Sequence, residues 1–245
     1  AAKVGRAKAG EAGRGVFLAG GAATPGDDDG DLPEVAFLYP GQGSQRPHML
    51  GDLFVAFPAL RWWLTLGGDE VVDRMFPPAA FGEDAGEPAA ALTDTRVAQP
   101  ALGITGLAMT ALLADCGVVP AASGGHSYGE LPALVAAGAL DARDLVALSR
   151  ARGEAILDAS PDDDPGAMAA VRGPVDEVRS ALAAWPDVIV ANDNAPDQSV
   201  ISGPTDQVTE AVAGLAERGY GTRRLPVSCA FHTPRLRAAA DALAA

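Results

Sequence analysis

The spacing of apolar and polar positions changes along the chain, and each change marks an element. Val35-Ala36-Phe37-Leu38-Tyr39 is a continuous apolar run stopped by Pro40-Gly41. A run without alternation predicts a strand buried on both faces of a parallel sheet. Helical spacing follows around Leu53–Leu64 and, more regularly, across Pro100–Leu113. Between them, residues 78–90 are dense in Pro, Ala, Gly and Glu and predict a surface loop. From Gly166 to Val227 the period alternates in a readable order. Ala167–Val171 predicts a strand, and Pro174–Trp185 a helix with Val175, Val178, Leu182 and Trp185 along one face. Val188–Ala191 and Ser199–Ser202 predict two strands joined by an Asn/Asp/Pro turn. Pro204–Arg218 predicts a helix with Val208, Val212 and Leu215 inward, and Thr222–Val227 a last strand. That order, β-α-β-β-α-β, is the split ferredoxin-like unit.

The expected fold class is α/β. Residues 34–164 form a large subdomain, 165–228 an inserted ferredoxin-like one, and 229–245 the return to the first. The acidic, Pro-rich turn Pro161–Pro165 bounds the insertion upstream. Residues 1–33 differ in kind: they are rich in Ala and Gly, hold both lysines and end in an acidic turn. They are read as a linker or the edge of a preceding domain, with one strand-like piece at Gly15–Leu18, in a polypeptide cut from a longer one.

Composition narrows the function. With 48% hydrophobic residues the chain can bury a sizeable core. A formal net charge of −14 argues against nucleic-acid binding and against docking on anionic lipid. Two cysteines, Cys116 and Cys229, exclude a disulfide scaffold. Three histidines without H-x-x-x-H spacing argue against zinc, so no metal is expected. No apolar run in the sequence approaches the ~18–20 residues of a membrane span, and no leader opens it. A soluble, cytoplasmic α/β-type enzyme or module is expected.

The sharpest chemical signal is Gly125-His126-Ser127-Tyr128-Gly129, a G-x-S-x-G nucleophile elbow followed by a helical stretch from Glu130. Small flanking residues let the chain turn sharply and expose Ser127 at a helix start, where free N–H groups can hold an oxyanion. A serine needs a base. His126, adjacent in sequence, is expected to point away, and His48 lies in a polar turn. His232, just after the last strand of the insertion, is the remaining candidate. Cys229 reads as a small hydrophobe. Asp141 caps a helix whose stripe of Leu145, Leu148, Ala155 and Ile156 contains Arg152, while Arg143 and Arg150 fall outside it. A guanidinium on a buried face requires an anion, either an internal carboxylate or one on a substrate, and helix geometry alone favours the internal one. Pro40-Gly41-Gln42-Gly43-Ser44-Gln45 follows the first strand, where glycines let backbone N–H groups approach a ligand.

Taken together these residues resemble the malonyl-CoA:acyl-carrier-protein transacylase family, the acyltransferase domains of fatty acid and polyketide synthases. The likeness covers Val35 to Ala245. It runs through Phe37–Gln45, Gln99-Pro100-Ala101-Leu102, Gly125–Glu130, Arg152-Gly153, Asn192 and Asn194 before Pro196, and Ala230-Phe231-His232. Within the family it looks most like iterative enediyne or polyunsaturated-fatty-acid synthases. The resemblance implies an α/β-hydrolase-like large subdomain carrying the small one, with the site in the cleft between them. It implies Ser127 as nucleophile, His232 as general base and acid, and the backbone N–H groups of Gln42 and Tyr128 as oxyanion hole. Arg152 would bind the malonyl carboxylate, reversing the odds set by helix geometry, and Phe231, Gln99 and Asn194 would line the substrate site. Malonyl-CoA would be the donor and the phosphopantetheine thiol of an acyl carrier protein the acceptor, beside neighbouring domains such as a ketosynthase, with no intrinsic cofactor.

Two departures stand out. Cys229 occupies a position that is histidine in many malonyl-selective relatives. Relatives also continue for several tens of residues past Ala245 and supply there the carbonyl that orients the histidine. The expectation is a cut chain or a companion segment. Two rival readings remain: a serine hydrolase releasing the acyl group to water, and a silent synthase scaffold.

Overall fold

The computed structural model describes residues 10–13, 16–18, 34–160 and 164–244. Most of residues 1–33, read as a linker, and much of the turn at 161–165 therefore lie outside the described residues. The chain divides into two units, Ala1–Glu34 and Val35–Ala245. In the first, β1 (Gly10–Gly13) and β2 (Val16–Leu18) pair antiparallel.

The second unit begins with β3 (Ala36–Tyr39), α1 (Gly51–Ala56), α2 (Arg61–Met75), α3 (Glu87–Ala91) and α4 (Thr95–Asp115). It continues through β4 (Ala122–Gly125), α5 (Glu130–Ala136) and α6 (Ala142–Ala159). β3 and β4 pair in parallel, with Tyr39 opposite Gly125. The expectation that β3 is buried on both faces is corrected. Leu38 is 82% exposed, because β4 is the one neighbour of β3 among the described residues. The helix expected over Leu53–Leu64 is two, since Pro58 cannot continue α1 and opens a short 3-10 turn before α2. Residues 78–90 hold a 3-10 turn and part of α3, not loop alone.

α4 starts five residues before the expected Pro100. Asp94 caps it, accepting the Arg96 N–H, and Pro100 sits inside its second turn. It is 21 residues long and holds a window of mean hydropathy 1.5, so by length and composition it could cross a bilayer, contrary to the sequence expectation. Yet 61% of its apolar window is buried inside the fold, as in a core helix. Val97, Ala101 and Ile104 pack there against Val71 and Met75 of α2 and Val146 of α6.

The small subdomain follows: β5 (Ala167–Arg172), α7 (Val175–Ala181), β6 (Ile189–Ala195), β7 (Gln198–Gly203), α8 (Thr205–Glu217) and β8 (Gly221–Arg224). The four strands form one antiparallel sheet in the order β6-β7-β5-β8. Alternation along β5 explains how it packs on two sides. Ala167, Ala169 and Val171 meet Val178 and Leu182 near α7 and Val208, Ala211 and Leu215 of α8. Met168, facing the other way, joins Ile156 of α6, Cys229, Phe231 and Ala239. That second cluster, with α9 (Arg237–Ala244), fastens the small sheet to the large subdomain.

Candidate active site

The elbow is built by its glycines. The His126 N–H donates to the Tyr39 carbonyl at 3.0 Å, and the chain then turns at once into the 3-10 turn Ser127–Gly129. A Cβ at position 125 would overlap the backbone of Gly129, and one at position 129 the carbonyl of Tyr39. Only glycine lets strand, turn and helix approach this closely. Ser127 itself takes φ 52°, in the left-handed region that a non-glycine residue seldom adopts. Tyr128 anchors the turn from below. Its ring is buried and its hydroxyl lies 2.6 Å from Ser149 Oγ. The single Ser149 proton goes to the Leu145 carbonyl, so the tyrosine donates. Burial raises the Tyr128 pKa above its ordinary value, against the opposing pull of Ser149 and Arg152, and keeps the hydroxyl neutral.

His232 arrives 105 residues later and reaches the same point, its Nε2 2.8 Å from Ser127 Oγ. Its segment is set by packing. Cys229 and Ala230 are buried, the Ala230 N–H donates to the Pro165 carbonyl at 2.9 Å, and Thr233 Oγ1 donates to the Ala230 carbonyl at 2.9 Å. His232 also has φ 60°. Burial lowers the His232 pKa below 6.5, helped by the nearby Arg152 and His126 and opposed by Glu130. The ring is thus kept neutral and able to accept a proton near pH 7. Burial pushes the Cys229 thiol up to about 11, which removes it as a nucleophile and agrees with its reading as a small hydrophobe.

Ser127, His232 and Arg152 line one cleft of about 500 Å³, together with Tyr128 and the β6 residues Asn192, Asp193 and Asn194. Arg152 projects from α6, half-buried, and among the described residues no carboxylate pairs with it. The internal partner favoured by helix geometry is therefore absent from this set. Burial lowers the Arg152 pKa from its ordinary value, with Tyr128, Cys229 and Glu130 opposing. Three consecutive β6 residues reach the cleft because the β6–β7 register slips between Val190 and Asn192 and again between Asp193 and Ala195. The sequence reading placed these residues in the turn. His126 was expected to point away from Ser127. It lines the cleft, its Nε2 lying 3.1 Å from Asn194 Oδ1 and so joining the two subdomains. Its neighbours in sequence gave no signal of this contact.

The remaining candidates divide. The loop after β3 lies against the elbow: a Cβ on Gly41 would sit 2.7 Å from the His126 carbonyl oxygen and 3.4 Å from Ser127 Cβ. That brings Gly41, the residue before Gln42, beside Ser127. Gln99 does not line this cleft. It is fully buried beneath the loop, its Nε2 donating to Gln42 Oε1 at 3.2 Å while its own Oε1 has no protein partner. Phe231 is buried in the cluster with Ile156 and Met168 and borders a cavity behind Arg152 and His232, so its contact is with the wall that carries them.

Residues 36–245 match the family model described as acyl transferase domain. The chain is 37% identical over 219 residues to the malonyl CoA-acyl carrier protein transacylase of Bacillus subtilis (strain 168), covering 86% of this chain and 67% of that protein. It is 38% identical over 217 residues to polyketide synthase GfsA of Streptomyces halstedii, covering 84% of this chain and 3% of the synthase. Among solved structures it resembles a malonyl-transacylase in complex with its type II polyketide synthase acyl-carrier protein, at TM-score 0.76 and 30% identity, covering 86% of this chain and 69% of that one. The chain thus spans about two thirds of the stand-alone transacylase and a small fraction of the synthase. With its elbow serine, facing histidine and two-subdomain α/β fold, this chain belongs to the acyl transferase domain family of enzymes.

Proposed function

We propose that the chain transfers a malonyl group from malonyl-CoA to the phosphopantetheine thiol of an acyl carrier protein through an acyl-Ser127 intermediate. The observation that carries this reading is the 2.8 Å Ser127–His232 pair in a cleft whose guanidinium, Arg152, has no carboxylate among the described residues. His232 Nε2 takes the Ser127 proton as Oγ attacks the thioester carbonyl. The backbone N–H groups of Gln42 and Tyr128 hold the oxyanion. Collapse of the tetrahedral adduct expels the CoA thiolate, which takes the proton back from His232. The carrier thiol then gives its proton to His232 and attacks the acyl-serine, and Ser127 is restored.

The guanidinium fork of Arg152 would hold the malonyl carboxylate in two-point contact. Asn194, fixed by His126, would line the far side of the cleft, and Phe231 would back the wall that carries the base. Cytoplasmic operation beside neighbouring synthase domains, a ketosynthase among them, belongs to the same reading.

Arg152→Ala tests the donor. The ratio of malonyl-CoA to acetyl-CoA acylation rates, read by intact mass, should drop about 10- to 100-fold, the equivalent of a charge-assisted hydrogen bond of ~1.5–3 kcal/mol. An unchanged ratio with a lower melting temperature would make Arg152 a structural cation and favour the serine hydrolase.

A further inference from the structure

We infer that Thr95 is a positioning residue that ties the oxyanion loop to the segment carrying the base. The inference rests on the proposed acyl-serine chemistry. Thr95 opens α4 and is fully buried. Its hydroxyl is where two separate segments meet. Gln42 Nε2 donates to Thr95 Oγ1 at 3.2 Å, and Ser228 Oγ lies 2.7 Å from the same oxygen. Gln42 sits in the loop packed on the elbow, and Ser228 lies four residues before His232.

The other atoms of the Gln42 side chain are held too. Its Nε2 also donates to the Thr93 carbonyl at 3.3 Å, and its Oε1 accepts from Gln99 Nε2 at 3.2 Å. With both kinds of polar atom engaged, the side chain cannot swing without breaking partly buried bonds. Its backbone is therefore held in place next to Gly41, which packs against Ser127. On the other side, Cys229 and Ala230 are buried, which stiffens the link from Ser228 to His232. Thr95 Oγ1 touches neither substrate nor reacting atoms. It sets the distance between a group that stabilises the oxyanion and the group that moves the proton. Such spacing matters because small misplacements of reacting groups cost large rate factors.

Thr95→Val keeps the shape and removes the hydroxyl, and Thr95→Ser keeps the hydroxyl. Two readouts on the full chain are compared, malonyl-CoA acylation and labelling of Ser127 by an alkyl fluorophosphonate. The phosphonate reports the nucleophile, base and oxyanion loop and needs no acyl donor. We expect Thr95→Val to lower both kcat for acylation and the labelling rate about 10- to 100-fold, as for an unmade buried hydrogen bond. KM for malonyl-CoA should hold, and Thr95→Ser should recover most of the rate. Wild-type rates in Thr95→Val would overturn the inference. So would equal losses in both variants that follow a falling melting temperature, and so would a wild-type Ser127 that the phosphonate does not label. A wild-type chain that is labelled but ignores malonyl-CoA would instead sink the proposed donor, while the labelling ratio still decides Thr95.

Discussion

The two sides of the reacting pair are held by different physics. Ser127 stands on a local device: a strand, a tight turn and a helix, with glycines at 125 and 129 where any side chain would strike backbone. His232 stands on a collection of distant contacts, among them buried Cys229 and Phe231, a backbone bond to Pro165 and the apolar wall of α6. Both residues carry left-handed backbone, φ 52° and 60°. In one case the strain is held by a tight turn seated on the neighbouring strand at Tyr39, in the other by the packing of several elements far apart in the chain. The Ser127 side should therefore fail all at once, and the His232 side by degrees.

That contrast can be broken at several levels. The largest effect belongs to Ser127→Ala, which should abolish the acyl adduct and leave the melting temperature close to wild type. An adduct of one malonyl mass persisting in the variant would move the nucleophile elsewhere. Next comes His232→Ala. Single-turnover acylation should slow by about 10²–10⁴-fold, the usual range for a placed acid–base group, and an unchanged rate would place the base elsewhere.

The scaffold substitutions sharpen the difference. Gly129→Ala should prevent the elbow from closing, so that soluble folded protein, measured by circular dichroism, is largely lost. Phe231→Ala should instead leave a folded chain, destabilised by about 3 kcal/mol in urea unfolding because it opens a cavity in the cluster with Ile156 and Met168. Equal tolerance of the two substitutions would erase the distinction.

The smallest effect concerns pH. Because the His232 pKa lies below 6.5 in the fold, acylation should hold as pH falls through neutrality and decline only below that value, as the ring takes a proton. Arg152 contributes to the lowering, so Arg152→Ala should move the acid limb toward higher pH. Burial is the larger cause, and the displacement should be modest. A limb that moves toward lower pH would contradict the assigned sign.

Much of the small subdomain was legible because its strands and helices each bury one repeating face, and periods of 2 and 3.6 residues are written directly into a sequence. Errors fell where several weak preferences compete. Pro58 split one expected helix, Asp94 started α4 early, and β6 ran on to Ala195 through two irregularities. Gln99 was expected to line the site and instead lies buried against Gln42.

By itself the sequence marked the elbow, since the glycine at 125 answers to the backbone of Gly129, only four residues away. It also determined the order of the inserted sheet and the stripe of α6 that carries Arg152. Tertiary structure alone brought His232, which the sequence had singled out, to Ser127, left Arg152 without a carboxylate among the described residues, and set Thr95 against Ser228 across 133 positions. The reason is range. Local backbone preference and side-chain period act within a few residues, whereas the 2.8 Å contact of two groups 105 residues apart exists only after packing has brought their segments together.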